Sequence, residues 1–210
     1  MEIWQYMIIT IVSIILILLM MYRFIFLRDP VRISPPGPVI VSPADGRIVK
    51  IVKIGDKNPV RIKKGLMGKI EVLSKDVFKK GYLISIMMNI HNVHYQRAPL
   101  EGIVQTIKYT PGAFRNAVKD ASSMQAIDNE RNEIIIKNNK IGKIKVIQIA
   151  GLLARRIKCF AEENKFVKKG QKIGLITLGS QVSILLPDKV KLLCEEEEKV
   201  KAGETIIAKY

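Results

Sequence analysis

The chain opens on an apolar run and then changes period. From Ile3 to Tyr22, IWQYMIITIVSIILILLMMY carries no charge over about 20 positions. At a helical rise of about 1.5 Å per residue this matches the roughly 30 Å of a hydrocarbon core, so the pattern predicts a membrane-spanning helix. A buried core helix would show a polar face to its surroundings, and this run has none. DPVRISPPGP follows, with Pro30, Pro35, Pro36, Gly37 and Pro38. These residues forbid regular helix and predict a short stiff linker. From Val39 the apolar period falls to that of strands. VIVS (39–42), GRIVKIVKI (46–54), YLISIMMNI (82–90), GIVQTIKY (102–109), EIIIKN (133–138), IGKIKVIQIA (141–150), KIGLITL (172–178) and VSILLP (182–187) are β-branched and bounded by Gly, Pro, Asn or Asp. Helical spacing is confined to 113–124 and 151–157. The prediction is an anchor over 1–28, a linker over 29–38, and a mostly β domain with one or two short helices over 39–210.

The residues flanking the apolar run give it an orientation. A secretory leader would carry a basic stretch before the run and small residues at a cleavage site after it. Here Glu2 precedes it and Phe24, Phe26 and Leu27 follow, so the segment reads as an uncleaved anchor. Trp4, Tyr6 and Tyr22 bracket it as interface aromatics. Arg23, Arg28 and Arg32 all lie on its carboxyl side, which places the downstream domain on the cytoplasmic face of the cell membrane. The net charge of +16 calls for an anionic partner, and beside an anchor that partner is an anionic lipid surface or headgroup. Nucleic acid is disfavoured, because the basic residues are not interleaved with aromatics. Cys159 and Cys194 lack any C-x-x-C or Cys/His spacing, which excludes a disulfide framework and a thiolate metal site.

An internal echo bears on the architecture. FVKKGQKIG (166–174) and KVKAGETII (199–207) share a V-K-x-G-(Gln/Glu)-x-I frame, and RIKKG (61–65) is a weaker third copy. The glycine supplies the positive φ of a tight turn before the next strand. The frame resembles the turns of biotinyl/lipoyl-type barrel-sandwich domains, which implies a barrel-sandwich-like β fold. A working carrier of that class needs a lysine at a hairpin tip between small or methionine residues, and no such stretch is present.

The residues able to carry chemistry are few. His91 and His94 are the chain's two histidines, and both fall in NIHNVHYQRAPLEG (89–102). With no third histidine and no nearby cysteine, metal ligation is disfavoured. Acid–base work and ordinary strand-end polarity both remain open, with Arg97 supplying a fixed cation close by. In VSPADGRIV (41–49), Asp45 suits a type I turn before Gly46, and equally a carboxylate that orients a histidine. In GLITLGSQV (174–182), the Gly179-Ser180 pair interrupts an apolar strand with one hydroxyl.

Taken together, FLRDPVR (26–32), VSPADGRI, HNVHYQRAPLEG and GLITLGSQV occur here in the order and at the spacing of phosphatidylserine decarboxylases, particularly the short bacterial and archaeal type. The resemblance runs from about Phe26 to about Pro187. It implies a proenzyme that cuts itself between Gly179 and Ser180, leaving chains 1–179 and 180–210. Ser180 then becomes an amino-terminal pyruvoyl group, the only cofactor, with no PLP and no metal. By the same resemblance His94 is the base for self-cleavage and Asp45 orients it. The pyruvoyl ketone takes the serine amine of the lipid as a Schiff base and serves as the electron sink when CO2 leaves, and His91 is the proton donor in decarboxylation. Arg97 is a phosphate-binding or structural group.

The product implied is the ethanolamine lipid. The Lys-, Glu- and Ile-rich composition suits a thermophile, so the substrate is phosphatidylserine or its isoprenoid-ether counterpart, archaetidylserine. Gln181 stands where many relatives of the short type carry a basic residue, and the acidic run Glu195 to Glu198 reads as a solvated turn. The alternative is a membrane-tethered biotinyl/lipoyl-like adaptor without catalysis, in which the histidines are incidental. A pyruvoyl decarboxylase of a soluble amino acid would have no use for the anchor.

Overall fold

The computed structural model describes residues 3–55, 74–111, 130–151, 157–177 and 180–210. The weak third echo at 61–65, the helix expected over 113–124, most of that over 151–157, and Gly179 lie outside the described residues. The chain begins with α1 (Ile3–Met21), exposed along its length, which continues into one wide π-helical turn, Tyr22–Phe26. The strands are β1 (Val39–Val41), β2 (Gly46–Ile54), β3 (Gly81–Met88), β4 (Tyr95–Arg97), β5 (Gly102–Thr110), β6 (Arg131–Asn138), β7 (Gly142–Ala150), β8 (Ile157–Cys159), β9 (Phe166–Val167), β10 (Lys172–Ile176), β11 (Ser180–Pro187), β12 (Lys191–Leu192), β13 (Lys199–Val200) and β14 (Ile206–Lys209). The protein is mostly β, as the period-2 pattern predicts, and a strand stands at each of the eight segments picked out by that pattern.

The largest sheet has eight strands in the order β13-β2-β3-β11-β7-β6-β5-β9 and curls into a half-barrel. Two three-stranded sheets, β1-β14-β12 and β4-β10-β8, complete the domain. The pleat explains the main core. Ile84, Ile86 and Met88 on β3, Val182, Ile184 and Leu186 on β11, and Ile144 and Val146 on β7 alternate along their strands and form one buried apolar cluster. β11 lies in the middle of the sheet, paired along its whole length with β3 and from Ser180 to Leu185 with β7. Its first residue, Ser180, is in register with Met88 on one side and Ala150 on the other.

The two echo units fold alike. Phe166–Val167 and Lys199–Val200 are short strands, Gly170 and Gly203 turn the chain at φ +80° and +76°, and β10 and β14 leave the turns. The positive φ expected of the shared glycine is present in both. The turns meet each other, because a Cβ on Gly203 would lie 3.5 Å from the Gly170 Cα.

The Pro-rich segment 29–38 is bound to the domain along its length. Ser34 Oγ donates to the Gly203 carbonyl at 2.8 Å, and a Cβ on Gly170 would collide with that hydroxyl. Asp29 accepts from Arg97 at 2.6 Å and Lys172 at 2.8 Å, Arg32 pairs with Asp45 at 2.9 Å, and the Pro38 carbonyl accepts the Tyr210 N–H at 3.0 Å. The segment is a strap whose polar side chains reach the domain turns between its prolines.

Candidate active site

The sheet register brings the histidine loop to the Gly-Ser interruption. β3 ends at Met88, opposite Ser180, and the chain then turns through Asn89 to Val93, with Asn92 Oδ1 accepting the Asn89 N–H at 2.7 Å. It re-enters a strand at Tyr95, paired with Leu175 of β10, and the Ile176 N–H donates to the His94 carbonyl at 3.3 Å. His94 is thereby tied to β10, the strand that runs toward 178–180, and follows directly after the strand paired with Ser180.

His94 is fully buried. Its Nδ1 lies 2.8 Å from the Asn92 carbonyl oxygen, which can only accept, so Nδ1 carries the proton and Nε2 presents a lone pair. Among the described residues Nε2 has no hydrogen-bond partner. Leaving such an atom unpaired costs about 1–3 kcal/mol, and its lone pair is free to accept a proton from any donor brought to it. The Phe26 ring lies over the imidazole, with centroids 3.8 Å apart and planes at 32°. Burial lowers the His94 pKa from 6.5 to about 4. The Asn92 carbonyl opposes the shift, the Arg28 guanidinium adds to it, and the Asp45 carboxylate opposes it. The imidazole is therefore neutral at neutral pH.

Asp45 is held by other groups. Its Oδ1 accepts the Ala202 N–H at 2.7 Å and its Oδ2 accepts from Arg32 at 2.9 Å. Among the described residues no hydrogen bond joins it to His94, so its influence on the imidazole is that of a nearby charge. His91 is exposed on the turn, and its carbonyl accepts from the Arg28 guanidinium. The Arg97 guanidinium donates to the Gly170 carbonyl at 2.9 Å and to Asp29 at 2.6 Å, contacts that lock the strap and an echo turn together. Of the residues singled out in the sequence, then, His94, Asp45 and the backbone of Ser180 come into one neighbourhood. His91 stands at its solvent edge, and Arg97 serves the scaffold.

A line of amides supports His94 from within the core. Asn132 Nδ2 donates to Gln148 Oε1 at 2.9 Å, Gln148 Nε2 to Gln96 Oε1 at 2.8 Å, and Gln96 Nε2 to the His94 carbonyl at 2.8 Å. All three side chains are buried. The sequence carried a signal, since Gln148 breaks the apolar run KVIQIA at a position whose strand neighbours Ile144 and Val146 face the core, but the partners come from β4 and β6. Replacing Gln148 by Leu strands one donor and one acceptor, each at about 1–3 kcal/mol. We expect Gln148→Leu to lower the denaturant midpoint accordingly; an unchanged midpoint would show that the relay adds nothing.

The described residues define a β protein with a buried neutral imidazole on the loop after the strand paired with Ser180, and with a helix long and apolar enough to cross a membrane. The family model for phosphatidylserine decarboxylase matches residues 19–208. Proteins described as phosphatidylserine decarboxylase proenzymes are similar over most of their length. The one from Syntrophus aciditrophicus is 40% identical over 186 residues, covering 88% of this chain and 78% of its own. That from Desulfotalea psychrophila is 39% identical, covering 94% and 83%, and that from Azorhizobium caulinodans is 42% identical, covering 91% and 75%. The chain belongs to the phosphatidylserine decarboxylase family.

Proposed function

We propose that this chain is a proenzyme that cuts itself between Gly179 and Ser180 and then decarboxylates phosphatidylserine, or its isoprenoid-ether counterpart archaetidylserine, to the ethanolamine lipid and CO2. The observation that carries this reading is His94 Nε2, a buried lone pair without a partner among the described residues, on the loop that follows the strand paired with Ser180. A tethered adaptor would have no reason to leave that atom unsatisfied.

In this reading His94 Nε2 takes the Ser180 hydroxyl proton as the oxygen attacks the Gly179 carbonyl. The imidazolium returns the proton to the Ser180 nitrogen as the peptide bond breaks, leaving an ester. Loss of the Ser180 α-proton expels the Gly179 carboxylate, and water replaces ammonia at the resulting enamine to give a pyruvoyl ketone. Asp45 and the Asn92 carbonyl offset the positive charge that develops on His94. The new amino terminus at position 180 heads the central strand of the half-barrel, so chain 180–210 stays bound to chain 1–179 through the ladders of β11 with β3 and β7.

His94 and the end of β3 would hold the pyruvoyl group; its carbonyls can only accept, so the Nε2 lone pair suits the Ser180 hydroxyl that precedes the group rather than the ketone itself. When present, the group supplies an electron sink for the bond to the departing carboxylate. In this reading His91, exposed beside the strap, delivers the proton that replaces CO2, and Arg97 keeps the strap in position. The anchor, 1–28, holds domain 39–210 at the cytoplasmic face of the cell membrane. There its positive charge favours an anionic serine lipid by up to about 1 kcal/mol per nearby Lys or Arg.

Denaturing electrophoresis and intact mass of the purified protein test the proposal. Two chains meeting at 179/180, with a ketone in place of the serine amine, are expected, together with CO2 release from one or both lipids. A folded single chain with an ordinary Ser180 would overturn it.

A further inference from the structure

We infer that Phe26 is a positioning residue of the site, closing His94 off from water and making the end of the anchor helix one wall of the pocket. This rests on the reading of His94 as the base for self-cleavage. Phe24 is 66% exposed and Phe26 only 5%. Residues two apart fall on opposite faces of a helix, and Phe26 is the one turned toward the domain; it closes the π turn in which the Leu27 N–H donates to the Tyr22 carbonyl at 3.0 Å. The additional residue in that turn re-aims the side chains that follow, and turns of this kind recur at functional sites. Phe26 is supported from behind by the Tyr22 ring, stacked at 5.5 Å and 11°, and faces the imidazole in front at 3.8 Å.

The chain beyond Phe26 is fastened to the same loop and turn. Arg28 donates to the His91 carbonyl, Asp29 binds Arg97 and Lys172, and Arg32 takes Asp45. Phe26 and Arg28 at the end of the anchor segment and Arg32 of the strap thus each touch His94, His91 or Asp45. An apolar ring in that position withholds water from the imidazole and disfavours its charged form. Among the described residues the charged groups acting on His94 are Arg28, just before the strap, and Asp45 from the β1–β2 turn. From β10 it meets the backbone of Ile176.

The test uses the full chain in detergent micelles or nanodiscs, with self-cleavage followed by gel across pH. With the base neutral down to about pH 4, wild-type cleavage is expected to differ little between pH 8 and pH 5.5. In Phe26→Ala water reaches the ring and its pKa rises toward the ordinary value near 6.5, so the rate at pH 5.5 falls about tenfold below that at pH 8. Phe26→Gln, which keeps the length but admits water, is expected to behave the same way, and Phe26→Leu to restore the wild-type profile. A second readout needs no cleavage. In Ser180→Ala with His91→Gln, His94 is the sole imidazole, and its NMR titration is expected to move upward when Phe26 becomes Ala. An unshifted titration or an unchanged cleavage profile in Phe26→Ala, in a background where His94→Ala abolishes cutting, overturns the inference alone. Wild-type cutting in His94→Ala overturns the base assignment and the inference with it.

Discussion

Ser180→Ala is expected to give a folded, membrane-bound single chain of about 23.7 kDa with no pyruvoyl group and no lipid turnover. In the proposed mechanism the side chain supplies both the nucleophile for the cut and the carbon skeleton of the ketone, so no other group in the chain substitutes for it, and the loss is expected to be complete. Folding is expected to survive, because the position contributes to the fold through its backbone. It opens β11 in register with Met88 and Ala150, and Ala makes the same ladder bonds. Intact mass, circular dichroism and CO2 release from a serine lipid check the three parts separately. Cut and active protein from this variant would remove Ser180 from the mechanism. An uncut chain that has lost its β signature would leave folding as the cause, and the NMR titration proposed for His94 in the same background would detect that state.

The strands and the anchor are legible in the sequence because they follow from local patterns. VSILLP and YLISIMMNI are apolar, β-branched runs of strand length that stand as the largely buried β11 and β3, and the uncharged run from Ile3 needs only its length to be read. The echo frame is legible for a similar reason, since a glycine turn between two short strands is specified by neighbouring residues. Other strands of two or three residues, such as β4, β8 and β12, leave no such trace, because their pairing is decided by distant partners: Tyr95 meets Leu175, and Lys191 meets Lys209.

The candidate site divides along the same line. His94 and Asp45 are visible as residue types in the right order, while their surroundings are not. Asp45 is legible as a carboxylate near a histidine, while Arg32 and the Ala202 amide on its two oxygens are not. Of the two readings of Arg97, phosphate-binding or structural, the Asp29 contact on its guanidinium supports the structural one. Asp29 and Arg32 belong to the strap, which composition describes as a linker because proline excludes regular structure. Proline does not exclude docking, and Arg32 and Ser34 dock through contacts separated by 13 to 172 positions in the chain. Phe26 reads in the sequence as one more bulky residue after the apolar run, and only its burial against the His94 ring shows that it faces inward.

His94→Ala is expected to slow self-cleavage by about 10²–10⁴-fold, the usual contribution of a positioned general base, while His91→Ala, altered at the solvent edge, still cuts. The difference follows from burial. A serine hydroxyl beside Nε2 has one acceptor that is buried, neutral and of fixed tautomer, because Nδ1–H is occupied by the Asn92 carbonyl. The pH dependence carries the sign of that arrangement. A base works when unprotonated, so with its pKa lowered to about 4 the wild-type rate should hold from neutrality to about pH 5 and fall as the pH drops through about 4. A pKa that low also makes the imidazole a weak base, so the cut is slow compared with what a base poised near 7 would give. That is tolerable for a reaction each molecule performs once. A time course of cutting after rapid refolding, run for wild type, His94→Ala and His91→Ala at several pH values, measures all of this together. An acid limb near 6.5 in the wild type would mean that His94 is hydrated when it acts. Equal cutting by His94→Ala would mean that the proton leaves Ser180 by another route.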